Sequence, residues 1–192
     1  GRDGPFVDVH SGRVRPAETD MRDLQARIED AERGLLVAGP SNADQAAQEA
    51  IVAITNATGF PVLADPLSGL RFGPHVNELP VIGGYDGYIG SDAVDSWPTP
   101  DLVIRFGASP TSKPLRHYLR DLETWQVVVD PAGGWREATF TANELLEADE
   151  QSLAAALEGV SRSLTPEWHD RLQRAEKLHR EHVDSTAVDT WE

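Results

Sequence analysis

An α/β sandwich built on a mainly parallel sheet is what these 192 residues predict, on three observations. Short apolar runs recur along the chain, each closed off by Gly, Pro or Asp. Between several of them lie stretches whose apolar residues fall at helical spacing. The composition, 40% hydrophobic and 26% charged, is that of a chain able to bury a core. Strands alternating with helices put parallel strands side by side under helices on both faces, giving a Rossmann-like three-layer sandwich.

Taken in order, residues 1–18 hold Gly, Pro and Arg without periodicity and read as a linker. Met21, Leu24, Ile28 and Ala31 then sit on one helical face, with Gly34 as a stop signal. The run Gly34-Leu35-Leu36-Val37-Ala38-Gly39-Pro40 suits a strand buried on both sides. Ser41 or Asn42 is expected to cap the next helix, whose apolar face is Ala47, Ala50, Ile51 and Ile54. Pro61 to Asp65 is a second strand, followed by an irregular Gly- and Pro-rich stretch from Pro66 to about Trp97. A connector of that length suggests a binding or interface loop.

Asp101 to Gly107 is the third strand, Thr111 to Leu122 a helix, and Trp125 to Asp130 the fourth strand. Glu137-Ala138-Thr139-Phe140 reads as a short fifth. Asp149 caps a helix carrying Leu153, Ala156, Leu157 and Val160. Thr165-Pro166-Glu167-Trp168 opens a last helix with a first-turn proline, its inner stripe being Trp168, Leu172, Ala175 and Leu178. Three units are expected: 1–32 as linker and lead-in helix, 33–160 as the Rossmann-like domain, and 161–192 as C-terminal helix and linker.

Seventeen basic against thirty-two acidic residues give a formal net charge of -15. That argues against nucleic acid and anionic membranes, which select a basic face. No apolar run is long enough to span a bilayer, and no leader is evident, so a soluble cytoplasmic protein is expected. Cysteine is absent, which removes disulfides, thiolate metal sites and thiol nucleophiles. Fifteen of the basic residues are arginine; only Lys113 and Lys177 are lysine. An acid-rich surface almost free of lysine is the bias expected of a protein working in concentrated salt, where carboxylate repulsion is screened. The start at Gly1, with Met21 the only methionine, suggests a piece of something longer.

In open parallel sheets, ligands collect beyond the carboxyl ends of the strands. The first such turn, Gly39-Pro40-Ser41-Asn42, lacks the Gly-x-Gly-x-x-Gly spacing for a pyrophosphate, and the chain has no Walker loop or His-Glu-x-x-His pair. The turn Ser109-Pro110-Thr111-Ser112-Lys113-Pro114 is more informative. Lys113 stands at a helix start, where the macrodipole opposes a cation. Either its stem packs while the ammonium meets solvent, or Lys113 holds a carboxylate or phosphate with nearby Arg71 or Arg105. Arg71 closes a turn in which Asp65 and Ser68 can satisfy backbone donors; it either pairs with an acid or reaches an anionic ligand. His179, Glu181 and His182 read as a solvated helix face, and His75 and His117 show no evident partner.

Two runs carry a resemblance: Pro61-Val62-Leu63-Ala64-Asp65-Pro66-Leu67-Ser68-Gly69-Leu70-Arg71, and Pro100-Asp101-Leu102-Val103-Ile104-Arg105-Phe106-Gly107-Ala108-Ser109-Pro110-Thr111-Ser112-Lys113-Pro114-Leu115. With the first strand from Arg33 to Pro40, they resemble the central domain of 2-succinyl-5-enolpyruvyl-6-hydroxy-3-cyclohexene-1-carboxylate (SEPHCHC) synthases. This is the MenD family of thiamine-diphosphate enzymes in menaquinone biosynthesis. The resemblance implies the DHS-like NAD/FAD-binding fold and a three-domain homo-oligomer, dimer or tetramer. In such an enzyme outer domains hold thiamine diphosphate and Mg2+, 2-oxoglutarate is decarboxylated, and the four-carbon unit is added to isochorismate.

The chain shows no Gly-Asp-Gly and no Asn-Asn, the marks of the cofactor-binding domain, so no cofactor and no catalysis are expected of it alone. By the same resemblance Lys113, with Ser112, contacts a substrate carboxylate, and Arg71 and Arg105 are candidates for an acidic or regulatory ligand. Two other readings stand beside this: a free-standing sensor of an acidic metabolite at Arg71, Arg105 and Lys113, and an FAD-retaining central domain of another thiamine enzyme.

Overall fold

The computed structural model describes residues 6–7, 10, 12–41, 44–77, 79, 81–160 and 165–186. Six strands form one sheet: β1 (Gly34–Ala38), β2 (Val62–Ala64), β3 (Val81–Ile82), β4 (Leu102–Phe106), β5 (Trp125–Val129) and β6 (Glu144–Leu146). Their order is β3-β2-β1-β4-β5-β6, and every neighbouring pair is parallel. This is the doubly wound arrangement, with a switch point between β1 and β4 where the winding reverses.

Burial on both faces explains why the central strands read as continuous apolar runs. In β1, Leu36 and Ala38 enter one core while Leu35 and Val37 enter the other. The first core is covered by α1 (Glu18–Asp30), α2 (Gln45–Thr58) and α5 (Glu150–Ala156), through Met21, Leu24 and Ile28, Ile51 and Ile54, and Leu153. The second is covered by α3 (Asp92–Asp95), α4 (Lys113–Asp121) and α6 (Pro166–Thr186), through Val94, Leu115, Leu119, Trp168 and Leu172. Trp168 also donates from its indole Nε1 to the Gly34 carbonyl at 2.9 Å, tying α6 to the middle of the sheet. Among the described residues no helix is long and apolar enough to cross a membrane.

Several expectations change in detail. Gly34 opens β1 rather than ending α1, which stops at Ala31 in an extended conformation. The cap of α2 is Asp44, whose carboxylate accepts from the Ala47 N–H, and not Ser41; Asn42 lies outside the described residues. Inside the long connector sits the edge strand β3, only two residues long. Glu137–Phe140 is not a strand. Its alternating burial mimics one, but the inward residues are polar and Phe140 has φ of 57°. The last strand lies a few residues later, at Glu144–Leu146. On α6 Leu178 is 56% exposed, and Glu176 takes the buried place instead.

Gly39 shows why the first turn has a glycine without a dinucleotide motif. A Cβ there would stand 1.8 Å from the Ala108 carbonyl oxygen, so the turns after β1 and β4 approach too closely for a side chain.

Candidate functional site

The carboxyl ends of β2 and β3 and the start of α4 enclose a cleft of about 710 Å3, lined by Arg71, Tyr85, Asp86, Ser112, Lys113 and His179 among others. Lys113 is the first residue of α4, exposed, and without an ion-pair partner among the described residues. Arg71 is half-buried on the facing wall. Its Nε donates to the Ala64 carbonyl at 2.8 Å, and its guanidinium lies 5.7 Å from the Tyr85 ring centre. Burial, reinforced by the charge of Asp65, pushes the Tyr85 phenol up to about 12, so it stays neutral at any working pH. The cleft therefore offers two cations and an imidazole to a ligand, while the phenol of Tyr85 is fully buried behind them.

The structure separates the three basic candidates. Arg71 and Lys113 share the cleft, whereas Arg105 points from β4 into a buried ion pair. Its Nη1 lies 2.9 Å from Glu137 Oε1, with side chains 4% and 1% exposed, and also meets Gln126 and Thr139. Arg105 thus anchors the loop after β5, away from the cleft. Ser112 is buried and doubly used: its oxygen accepts from the Leu115 N–H at 3.1 Å, and its hydroxyl donates to Asp86. Asp65 and Ser68 do satisfy turn donors, at Leu67 and Leu70, and Arg71 meets a carbonyl rather than an acid.

Three participants escape sequence reasoning. Asp65 also reaches Thr111 across the sheet end. Asp86, between glycines, meets Ser112. Glu176 accepts from the N–H groups of Gly83 and Gly84 at 3.2 and 2.8 Å. Glu176 falls on the same helix face as Trp168 and Leu172, which was the available signal for its burial; all three pairings join segments distant in sequence. His179 is half-buried against the same glycine loop, its ring 6.1 Å from that of Tyr88, while His182 is exposed as expected. His75 has a partner, the Leu70 carbonyl at 2.8 Å.

The switch-point crevice is a second place to look for a ligand. It is lined by Asp44, Asp130, Asp149 and Glu150, with Arg13 and Arg136. Asp44 and Asp149 occupy the helix N-termini there, accepting from Ala47 and Ser152. Burial, with the charges of Asp149, Asp130 and Asp44, raises the pKa of Glu150. Helix amides that would cradle a pyrophosphate already hold the chain's own carboxylates, and the surrounding charge repels one. These residues do not fit FAD. Among the described residues no group of three or more His, Asp or Glu could hold a metal ion.

A family model described as "Middle domain of thiamine pyrophosphate" matches residues 4–192. SEPHCHC synthase of Haloarcula marismortui is 55% identical over 196 residues, covering 100% of this chain and 33% of its own length. That of Natronomonas pharaonis is 54% identical, covering 92% and 29%, and that of Bacillus velezensis is 32% identical, covering 98% and 32%. The chain thus spans about a third of the length of these curated relatives. In fold it is similar to a solved chain from Mycobacterium smegmatis, described as a thiamin diphosphate-dependent enzyme, with TM-score 0.50 and 23% identity over 84% of this chain and 31% of that one. With nearly its whole length matched to the model, the chain belongs to the family of thiamine pyrophosphate enzyme middle domains.

Proposed function

We propose that the chain is the middle domain of a SEPHCHC synthase, a rigid slab that presents Lys113 and Arg71 to an acidic substrate. The observation that carries this reading is the ammonium of Lys113, without an ion-pair partner among the described residues, on a cleft shared with Arg71, in a chain 55% identical to one such synthase. In the complete enzyme, thiamine diphosphate and Mg2+ bound to other domains supply the electron sink for decarboxylation of 2-oxoglutarate. This chain's residues bind and orient. Lys113 pairs with a carboxylate of isochorismate, and Arg71, Nε held by Ala64, faces the same space. The reading implies a cytoplasmic homo-oligomer, dimer or tetramer, whose outer domains are this domain's first partners.

Substituting Lys113→Ala in the complete enzyme should raise the KM for isochorismate roughly ten- to a hundredfold, the worth of one charge-assisted hydrogen bond. The KM for 2-oxoglutarate should stay near its original value. An unchanged isochorismate KM removes the role. A sensor of acidic metabolites is favoured only by the fact that both cations line the cleft within this chain. Calorimetry on the chain alone separates the two: micromolar binding of dicarboxylic acids, about -8 kcal/mol, supports the sensor, and millimolar binding supports the enzyme domain.

A further inference from the structure

The start of α4 carries an electrostatic mismatch that its own sequence leaves uncorrected. The partial positive charge at a helix N-terminus favours acidic residues in the first turn. α4 has none there and opens on Lys113. Two carboxylates from other parts of the chain stand at this start instead. Asp65, 1% exposed at the end of β2, accepts from both the N–H and the hydroxyl of Thr111, at 2.7 and 2.8 Å. Its other oxygen is held by the Leu67 N–H at 2.9 Å, so the carboxylate has one orientation. Asp86, from the loop after β3, accepts from the hydroxyl of Ser112, the residue that caps α4. The two residues before the lysine are thus gripped from two sides, by acids far from them in sequence.

We infer that Asp65 and Asp86 are positioning residues for Lys113. They supply in trans the negative charge that the first turn lacks, and they fix the cap from which the lysine projects. The lysine can then face the cleft without an acid of its own to neutralise it. This rests on the assignment of Lys113 to a substrate carboxylate and extends it to residues that need touch no substrate. Asp86 has two opposed effects: its hydrogen bond orders the cap, while its charge repels an anionic ligand. The neutral variants Asp86→Asn and Asp86→Ala separate these, because only asparagine keeps an acceptor for Ser112.

In the complete enzyme, the isochorismate KM should be roughly fivefold higher for D86A than for D86N, about the worth of one neutral hydrogen bond. The kcat and the KM for 2-oxoglutarate should be equal in the two. Thr111→Val, which removes the hydroxyl bonded to Asp65 and changes no charge, should raise the isochorismate KM in the same direction. Equal isochorismate KM values for D86A and D86N overturn the positioning role of Asp86, and T111V at the original value overturns that of Asp65. Repeating the D86 pair in a K113A background checks the route: the ratio should fall to one, and a ratio that persists also overturns it. K113A alone reports on the underlying assignment. If it leaves KM unchanged, the assignment and the inference fall together; if it raises KM while the D86 ratio is one, only the positioning role falls.

Discussion

At the scale of single residues, the Arg105–Glu137 pair is the most consequential interaction that a sequence reading misplaces. Arg105 sits in a strand of otherwise apolar residues beside a turn rich in candidate ligands, so an anion-binding role is a natural expectation. The fold brings Glu137 to it across thirty-two positions of sequence and leaves the pair dry. Burial acts against the charged form of Glu137, but the hydroxyl and N–H of Thr139 and the charge of Arg105 outweigh it and hold the carboxyl below its ordinary range. Glu137→Ala strands a buried guanidinium and should cost about 3–5 kcal/mol, read as a thermal midpoint lower by about ten degrees. Because the folded pKa is depressed, the stabilisation from ionised Glu137 is fully present above the unfolded value of about 4.3 and disappears as pH falls through the folded one. The difference in midpoint between the original chain and Glu137→Gln should therefore shrink below about pH 4, and a difference constant down to pH 2 would count against this account.

At the scale of elements, α6 is held by a contact that its apolar stripe does not foretell. The glycine loop after β3 presents two half-buried N–H groups to the underside of the helix, and a leucine there would offer them no acceptor. Glu176 answers them while Arg180, one turn later, pairs with its Oε1 at 2.8 Å. A buried donor without a partner costs about 1–3 kcal/mol. Glu176→Ala should lower the thermal midpoint by several degrees and speed hydrogen exchange at Gly83 and Gly84, with Glu176→Gln in between. Unchanged exchange at those two amides would mean that Trp168 and Leu172 alone seat the helix. The glycines matter for the same packing: a Cβ on Gly84 or Gly87 would come within 2.2 or 2.3 Å of the His179 ring. Here spacing rules located the helix correctly and misjudged one position on its face, because periodicity counts apolar residues and cannot count orphan donors on the opposing loop.

For the molecule as a whole, a net charge of -15 on 192 residues makes self-repulsion a long-range cost at low ionic strength. The Debye length falls from about 10 Å at 0.1 M salt to about 3 Å at 1 M, so the thermal midpoint should climb as potassium chloride is raised over that range. A flat or falling curve would set aside the salt-adapted reading of the composition. The amino-acid order by itself determined the alternation of β1, β2, β4 and β5 with helices, because strands buried on both faces must be apolar throughout and helices covering them must be amphipathic. It also marked Lys113, whose position runs against the helix dipole. Only the tertiary structure decided that Glu137 and Phe140 belong to a loop, since a buried ion pair and an apolar strand can alternate alike. Only the three-dimensional arrangement, likewise, put Arg71 on one cleft with Lys113, removed Arg105 to the interior, and set Asp65 and Asp86 at the start of α4. Those are contacts between segments far apart along the chain, and local periodicity carries no information about which distant side chain meets a given donor or charge.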